Sequence, residues 1–349
     1  MKEGNRLKVL LIGGTGTISL SITQQLAKAN HEVYVVNRGH QNGDLPAQVN
    51  VLRADYANEE EVALAIAPYQ FDVVANFIAF RPEQVQKDVR LFRHKTRQYV
   101  FISSASAYQK PLSDYKITES TPLANPFWAY SRDKIACEQA LMNFYREEGF
   151  PVTIVRPSHT YDERAIPLGV HGKKGSWSVI RRLLEGKPVI IHGDGSSLWT
   201  MTHSRDFAKG FIGLLGNRHA LGEAVHITSD ESLTWNQIYQ TLADTLGVSL
   251  KASFVPSSIL ARCSQGELLG PLLGDKANTV VFDNAKIKRL VPDFVATTRY
   301  DQGIQESLHY YEAHPELQLE DPDFDAWCDQ VIALHDQMLD QVQTMSLSF

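Results

Sequence analysis

The feature that most constrains this sequence is an apolar run that stops at a cluster of glycines. Residues 9–12 predict a buried strand, residues 13–16 a tight turn, and residues 18–26, with apolar side chains at helical spacing, an α-helix. Glycines let the turn approach a ligand closely, and the helix start presents unpaired N–H groups to an anion. This order is typical of a βαβ unit that holds a dinucleotide pyrophosphate. Ser19 stands where a third glycine is usual, and it is small enough for the helix to pack on the sheet.

Strand and helix patterns then alternate along the first half of the chain. Strands are predicted at 32–36, 49–53, 71–76, 98–103 and 151–157, and helices at 59–66, 82–92 and about 127–145. Such alternation indicates right-handed crossovers and a parallel sheet. The predicted fold is therefore α/β, a doubly wound parallel Rossmann sheet with a smaller C-terminal α/β substrate lobe.

Domain boundaries follow from the same pattern. We expect a dinucleotide-binding domain over residues 1–158, which the chain rejoins at about 200–230. The substrate lobe and the C-terminal helices would come mainly from 159–349. A helix at about 327–342 carries an apolar stripe that includes Val331, Leu334 and Met338, and we expect this stripe to pack on the core rather than to bind a partner.

Composition excludes some classes of protein. The chain has 349 residues, 43% of them hydrophobic and 21% charged, as in ordinary globular proteins. Its formal net charge of −6 offers no general basic field for nucleic acid, and no apolar run approaches the roughly 20 residues that span a bilayer. Cys137, Cys263 and Cys328 have no metal-ligand spacing, so we expect reduced thiols and no metal. The start of the chain lacks signal-peptide features, and we expect a cytoplasmic protein.

The end of the second predicted strand bears on the choice of cofactor. An acidic residue there would bind the ribose 2′-hydroxyl of NAD, whereas an arginine accommodates the 2′-phosphate of NADP. This strand end carries Asn37 and Arg38 and no acid. The sequence thus favours NADP(H), with NAD(H) still possible. Alternatively, Arg38 is a solvated turn residue.

Two further segments carry acid–base chemistry. The fifth strand ends in Ser103–Ser106, and Tyr130 and Lys134 lie four residues apart at the start of a long helix, hence on one helix face. A phenol has an ordinary pKa of about 10, and a neighbouring ammonium favours the phenolate. Together with a serine hydroxyl, this set can move a proton at a substrate oxygen while nicotinamide carries the hydride. A surface Tyr–Lys pair is the simpler alternative when the pair is taken alone.

In these motifs the sequence resembles the extended short-chain dehydrogenase/reductase superfamily, in its NAD-dependent epimerase/dehydratase branch. The resemblance runs from about residue 8 to 311. It is carried by the glycine turn at 13–18, Asp55, Asp72, Ser103-Ser104, the segment 130–134 and Arg156-Pro157-Ser158.

The resemblance implies roles for individual residues. The catalytic set would be Ser104, Tyr130 and Lys134. The cofactor would be bound by Gly13, Thr15, Gly16, Thr17, Ile18, Asn37, Arg38, Asp55, Tyr56, Asn76, Ile78, Tyr130, Lys134, Pro157 and Ser158. The substrate would contact Ser106, His159, Tyr161, Trp199 and His203, although each of the last four could instead be a packing residue of the lobe.

The sequence departs from the family pattern at two places. Sugar-nucleotide members commonly have an arginine after the Gly193-Asp194-Gly195 turn, whereas Trp199 lies near that position here and cannot grip a diphosphate. The dehydratase acid pair is replaced by Ala105 and Ser106, which argues against a sugar 4,6-dehydratase. Carbonyl reduction and epimerisation both remain.

The predicted function is thus that of an NAD(P)-dependent oxidoreductase or epimerase acting at a secondary alcohol or ketone of a sugar or sugar-nucleotide-like substrate. The glycine turn and the segment 193–199 also resemble a subgroup that includes chloroplast stem-loop RNA-binding proteins. An RNA-binding or cofactor-sensing protein with little turnover is therefore the alternative. The acidic balance makes nucleic acid an unlikely partner, and the basic run at 90–97 is explained by a solvated helix end. A homodimer through the helices at about 82–96 and 127–145 is expected.

Overall fold

The structure is a computed structural model and describes residues 6–39 and 43–345. Its strands are β1 (Lys8–Ile12), β2 (Glu32–Asn37), β3 (Asn50–Arg53), β4 (Phe71–Asn76), β5 (Thr96–Ile102), β6 (Lys116–Ile117), β7 (Val152–Pro157), β8 (His159–Tyr161), β9 (Val189–His192), β10 (Leu198–Trp199), β11 (Met201–His203), β12 (Ala224–Ile227), β13 (Leu233–Thr234), β14 (Ala252–Val255) and β15 (Val281–Phe282).

The α-helices connect these strands and close the fold. They are α1 (Ser19–Lys28), α2 (Glu59–Ile66), α3 (Pro82–Phe92), α4 (Ala129–Glu148), α5 (Trp177–Leu184), α6 (Ser204–Leu214), α7 (Trp235–Leu246), α8 (Ser257–Cys263), α9 (Ala285–Leu290), α10 (Tyr300–Ala313) and α11 (Pro322–Thr344). A π-helical segment, Leu269–Lys276, follows α8.

Seven strands form one parallel sheet in the order β12-β7-β5-β4-β1-β2-β3. The order reverses at β1, so β1 and β4 flank the crevice where α/β sheets of this kind bind ligands. The predicted doubly wound parallel sheet is confirmed. The outermost strand of the sheet, β12, comes late in the chain. It lies within the region at about 200–230 where we expect the chain to rejoin the sheet.

Helices cover both faces of this sheet. On one face, α1 and α6 bury Ile22, Leu26 and Phe211 against the strands. On the other, α2, α3 and α4 bury side chains such as Val85 and Leu141. The strands consequently have apolar residues on both faces, which explains why they appear in the sequence as continuous apolar runs.

Most of the chain beyond β8 builds a second cluster over the carboxyl ends of the strands. Trp199, Trp235 and Tyr300 lie at the centre of its core, together with apolar residues of α5, α7 and α10. The short strands β9 and β14 pair in parallel, and α11 packs against them and α5. This arrangement places a lobe where a substrate would meet the sheet.

The expectation for the C-terminal helix is only partly correct. Helix α11 buries Cys328, Val331 and Ile332, but Leu334 and Met338 are exposed. The helix contacts β9 and β14, and its buried residues lie between 328 and 332. Within residues 6–39 and 43–345, no helix combines the length and the apolar content needed to cross a bilayer.

A buried ion pair ties the sheet to the helix that carries Tyr130. Arg156 on β7 donates from Nη2 to Glu138 Oε2 on α4 at 2.5 Å, and from Nε to Oε1 at 2.9 Å. Both residues are buried, and Ser103 donates to the same carboxylate at 2.5 Å. The pair therefore aligns α4 with the ends of β5 and β7.

Replacing Glu138 with Ala is expected to lower the free energy of unfolding by about 3–5 kcal/mol, because it leaves the Arg156 guanidinium buried without a counter-charge. The double variant Glu138→Leu/Arg156→Met should lose much less. Urea unfolding followed by circular dichroism measures both. Glu59→Ala, which breaks the exposed pair with Arg90, is the matched control and should cost about 1 kcal/mol or less. An equally mild effect of Glu138→Ala would contradict the assignment.

Candidate active site

The glycine turn after β1 is closely packed and internally braced. Gly13 has φ +82°, and a Cβ there would lie 2.6 Å from Ile78 Cγ2; a Cβ on Gly14 would lie 2.8 Å from Val35 Cγ2. Neither position tolerates a side chain. The Ser19 hydroxyl donates to the Gly13 carbonyl at 2.6 Å and accepts from the Gly16 N–H at 2.9 Å. Ser19 thus fastens the turn, a role that its small size alone did not suggest.

Two predicted cofactor residues, Tyr56 and Asn76, lie in a buried hydrogen-bonded cluster. Asn76 Nδ2 donates to Asp88 Oδ2 at 2.5 Å and to the Tyr56 hydroxyl at 2.8 Å, while its Oδ1 accepts from the Ile78 N–H at 2.8 Å. Tyr56 and Tyr99 also donate to the Asp88 carboxylate. These hydrogen bonds fix the backbone that follows β4. Ile78, in that segment, packs against Gly13 of the glycine turn.

Asp88 is the centre of this cluster. Its carboxyl group is fully buried, and burial raises its pKa to about 6, although the hydrogen bonds from Tyr99, Asn76 and Tyr56 favour the carboxylate. The neighbouring Lys87 ammonium lies 3.5 Å from the centre of the Tyr56 ring and donates to the Tyr56 carbonyl. The polar groups of this cluster bond to one another, so its role is structural. The sequence alone did not predict it.

Basic side chains lie at the edge where β2 and β3 end. Arg38 is exposed there, and Asn37 accepts from the Gly39 N–H at 2.8 Å. Arg53, the strand partner of Asn37, places its Nε 3.4 Å from the position of a Cβ on Gly39. Asp55 accepts from the Ala57 N–H at 3.0 Å, next to the same edge. Arg53 was not predicted as a site residue, although its place at the end of the third strand could have indicated it.

Three serine hydroxyls form a chain at the end of β5. Ser104 Oγ lies 2.8 Å from Ser106 Oγ and accepts from the Ser106 N–H at 3.1 Å, and Ser131 donates to Ser106 Oγ at 2.8 Å. Ser106 and Ser131 are buried, whereas Ser104 is partly exposed. Of the three serines, Ser104 is therefore the one that remains accessible to a ligand.

Tyr130 stands in the first turn of α4, next to Ser104. Its ring lies between Trp128, with centroids 4.9 Å apart, and Phe80, with centroids 6.3 Å apart. Burial raises the pKa of Tyr130, and the hydrogen bond with Ser104 partly opposes this. The direction is opposite to that expected from the sequence, because burial of the phenol dominates and the Asp275 charge adds to it.

Lys134 lies beneath Tyr130 and is 1% exposed. Its Nζ donates to the carbonyls of Ala79 and Ile102, both at 2.7 Å, and lies 5.9 Å from the Tyr130 ring centre. Burial lowers the pKa of Lys134 to about 8. Most of this lysine is therefore still charged at neutral pH, and it joins α4 to the segments that follow β4 and β5.

A cavity of about 370 Å³ opens above these residues. Its lining comprises Ser104, Ala105, Ser106, Trp128, Tyr130, Pro157, Ser158, His159, Trp199, Asp275, Lys276, Val280 and Phe282. Seven of the predicted site residues thus share one cavity. Sequence reasoning missed Trp128 and the later residues from 275 to 282, because no local motif marks them.

His159 and Trp199 are paired across the cavity wall. The Trp199 indole Nε1–H donates to His159 Nδ1 at 3.0 Å. Because an indole nitrogen only donates, Nδ1 must be unprotonated and His159 carries its proton on Nε2. Burial, aided by the Lys276 charge, lowers the pKa of His159 to about 3, so the ring stays neutral. His159 is consequently a hydrogen-bond donor at Nε2.

The other two predicted substrate residues lie in the core of the lobe. Tyr161 and His203 are opposite each other on β8 and β11, 2% and 1% exposed, with ring centroids 5.1 Å apart. His203 Nδ1 caps α6 by accepting from the Arg205 N–H at 3.2 Å, and Tyr161 packs against Gly303 on α10. Their position is thus different from that expected, because β8 has already run away from the cavity at Tyr161.

Comparisons with known proteins show the family of this chain. A sequence profile of the NAD-dependent epimerase/dehydratase family matches residues 9–227. The chain belongs to this family. It is 26% identical over 292 residues to 2′-dehydrokanamycin reductase of Streptomyces kanamyceticus, covering 84% of this chain and 81% of the relative. It is 25% identical over 253 residues to the chloroplast stem-loop binding protein of 41 kDa b of Arabidopsis thaliana, covering 69% and 63%.

Solved structures support the family fold. An epimerase from Methanothermobacter thermautotrophicus superimposes with a TM-score of 0.73 at 16% identity, over 89% of this chain and 93% of that one. The UDP-glucuronic acid 4-epimerase of Bacillus cereus, solved with a fluorinated UDP-sugar and NAD, gives 0.70 at 18%, over 87% and 99%. This member of the epimerase/dehydratase family is accordingly an enzyme of the oxidoreductase or epimerase type that uses a nicotinamide dinucleotide.

The residues present fit such a cofactor. The turn at Gly13–Gly16 carries no Cβ at its two tightest positions. Its neighbour Ile78 lies two residues before Phe80, whose ring is next to that of Tyr130. Lys134 lies under the same segment through its bond to Ala79. The glycine turn and the phenol therefore lie along one continuous edge of the sheet, as the predicted chemistry requires.

Asp88 should make stability depend on pH. Because the pKa of Asp88 is raised from 3.8 to about 6, its contribution to the free energy of unfolding is full below about pH 4. That contribution is lost as pH rises through 6. The difference in the free energy of unfolding between the protein and Asp88→Asn should change by about 3 kcal/mol between pH 4 and 7, in that direction. Chemical unfolding at several pH values measures it. Exposed Asp293→Asn is the control, and parallel curves for Asp88→Asn would contradict the burial argument.

Proposed function

We propose that this enzyme catalyses reversible hydride transfer at a secondary alcohol or ketone of a sugar or sugar-nucleotide-like substrate, with NADP(H) as the favoured cofactor. The observation that carries the proposal is the meeting of Ser104, Tyr130 and Pro157-Ser158 in one cavity, above Lys134. Those groups come from three separate elements, and packing alone does not require their polar ends to converge. Relatives that reduce or epimerise sugars support the substrate class.

Each residue of the set has a distinct role in this proposal. Ser104 holds the substrate oxygen by a hydrogen bond, and Tyr130 gives or takes the proton at that oxygen. The hydroxyl chain of Ser106 and Ser131 orients Ser104. Lys134 fixes the base of α4 and keeps a positive charge below the phenol, and with Pro157 and Ser158 it would hold the ribose and nicotinamide. The bound cofactor supplies the hydride.

Because its pKa is raised, Tyr130 stays protonated at neutral pH and can act as an acid. A neutral phenol next to Ser104 is ready to donate when a ketone is reduced, and it returns to that state when an alcohol is oxidised. Reduction that ends there gives a reductase, whereas release and return of the hydride on the other face gives an epimerase. The cavity supports both outcomes, and carbonyl reduction is the simpler one.

RNA binding finds less support. The basic run after α3 is largely engaged within the protein: Arg90 pairs with Glu59, Arg93 with Glu148, and Lys95 donates to the carbonyls of Ile66, Ala67 and Tyr69. Side chains used in this way present little free charge to phosphates. Association of two copies through α3 and α4 stays a prediction.

Tyr130→Phe should lower kcat by about 10²–10⁴-fold, since it removes the proton donor, and should leave NADPH binding within about twofold. Rates are measured by NADPH oxidation with a panel of keto-sugars and sugar nucleotides, and binding by NADPH fluorescence. Tyr115→Phe, at a tyrosine that is 72% exposed, is the matched control. Unchanged turnover in Tyr130→Phe with intact cofactor binding would remove Tyr130 from the mechanism.

The double variant Arg38→Ala/Arg53→Ala should weaken NADPH binding by about 10–100-fold, because charged hydrogen bonds to a phosphate are worth about 1.5–3 kcal/mol. The dissociation constant of NADH should change by less than about threefold. Fluorescence titration with both cofactors gives the two values, and the exposed Arg262→Ala serves as control. Tight NADH binding without NADPH binding by the unaltered protein would overturn the NADP assignment.

A further inference from the structure

The lining of the cavity that holds Tyr130 also includes two charged residues, Asp275 and Lys276, that end the π-helical segment. The backbone on either side of them is held firmly. Asn125 Nδ2 donates to the Gly274 carbonyl at 2.7 Å, and the Lys276 carbonyl accepts from His192 Nε2 and Trp235 Nε1, both at 3.0 Å. Local departures from α-helical geometry are frequent at functional sites. The two side chains are thus offered to the cavity from a braced backbone.

The Lys276 ammonium has no hydrogen bond or ion pair to any other described residue. Several other lysines, such as Lys116, Lys173 and Lys209, are paired with carboxylates. A lysine that lines a cavity without such a partner loses hydration, and the Asp275 charge offsets only part of that loss. A bound ligand could supply the hydrogen-bond acceptor that this ammonium group lacks.

The charges around Lys276 limit what that ligand can be. Asp275 is the carboxylate whose charge acts on Lys276, and the buried Lys110 also acts on Asp275. His159 adds a neutral N–H donor to the same wall. The lining therefore carries one positive and one negative charge, with donors and an acceptor side by side, a pattern that suits hydroxyl groups, which both donate and accept.

The size of the cavity also favours a small polyhydroxylated ligand. Its volume of about 370 Å³ lies near the lower end of the roughly 300–1,000 Å³ typical of ligand pockets. Aromatic side chains of Trp128, Trp199 and Phe282 supply flat apolar walls of the kind on which a sugar ring can lie. A single sugar ring matches this space better than a nucleotide-linked one.

We propose that Lys276 is a substrate-binding residue that donates to an oxygen of an uncharged, polyhydroxylated ring of single-sugar size, while Asp275 accepts from a neighbouring hydroxyl. This inference rests on the proposed function, because it assumes that the reacting carbon of the ring lies at Tyr130. It assigns the part of the same cavity that Asp275 and Lys276 line to recognition of the rest of the ring.

The test uses the full chain loaded with NADP⁺ and measures binding rather than turnover. The probes are methyl α-D-glucopyranoside, its 6-carboxylate analogue methyl α-D-glucopyranosiduronate, and UDP-glucose, titrated by saturation-transfer NMR. The variants are Lys276→Met, Lys276→Arg and Asp275→Asn. Lys173→Met, at an exposed lysine paired with Glu267, is the matched control.

We expect both methyl glycosides to bind the unaltered protein with dissociation constants within about threefold of each other. Lys276→Met should weaken them by about tenfold or more, as expected for loss of a charged hydrogen bond, and Lys276→Arg by less than about threefold. Asp275→Asn should also weaken both, and Lys173→Met should have no effect.

Three results would overturn the proposal. They are a less than about threefold effect of Lys276→Met on glycoside binding, absence of glycoside binding by the unaltered protein up to the solubility limit of the glycoside, and a preference of more than about threefold for UDP-glucose or for the carboxylate analogue. Folding of each variant is verified by its NADPH affinity. Failure of the proposed function would be seen differently, as loss of NADPH binding by the unaltered protein or as unchanged turnover in Tyr130→Phe.

Discussion

The arrangement of this enzyme depends on one buried ammonium group. Lys134 reaches from α4 to the carbonyls of Ala79 and Ile102, which follow or end two neighbouring strands of the sheet. A charge at this depth is retained because both carbonyls compensate for its lost hydration. In consequence α4 cannot slide along the sheet without breaking these bonds, and Tyr130, one turn earlier, stays beside Ser104. The ion pair of Arg156 with Glu138 holds the same helix one turn further on.

Much of the fold could be predicted because its signals are local. The parallel strands are buried on both faces, so each appears as an apolar run, and the bounds predicted for β4, α2 and α3 agree with the structure. The Ser104 and Tyr130 motifs were also recognisable, since each lies at an element end that the sheet topology brings to one edge. Sequence spacing was sufficient in these cases.

Other parts of the site depend on contacts between distant segments. Lys276 is more than a hundred residues from Tyr130, and nothing in its neighbours indicates that its backbone is held by His192 and Trp235. The roles of Asn76 and Tyr56 could not be predicted because Asp88, which engages both, looks like an ordinary helix residue. The pKa of Tyr130 depends on the balance between burial and nearby charge, and only coordinates give the burial.

The Ser19 hydroxyl has a consequence for the energetics of ligand binding. A loop built from glycines is free to move, and ordering it when a ligand arrives costs conformational entropy. Here the bonds from Ser19 to Gly13 and Gly16 confine the loop during folding, so that cost falls on the folding reaction instead. With a serine at the place of a third glycine, the turn is already ordered before any ligand arrives, and a motif search that counts only glycines would undervalue it.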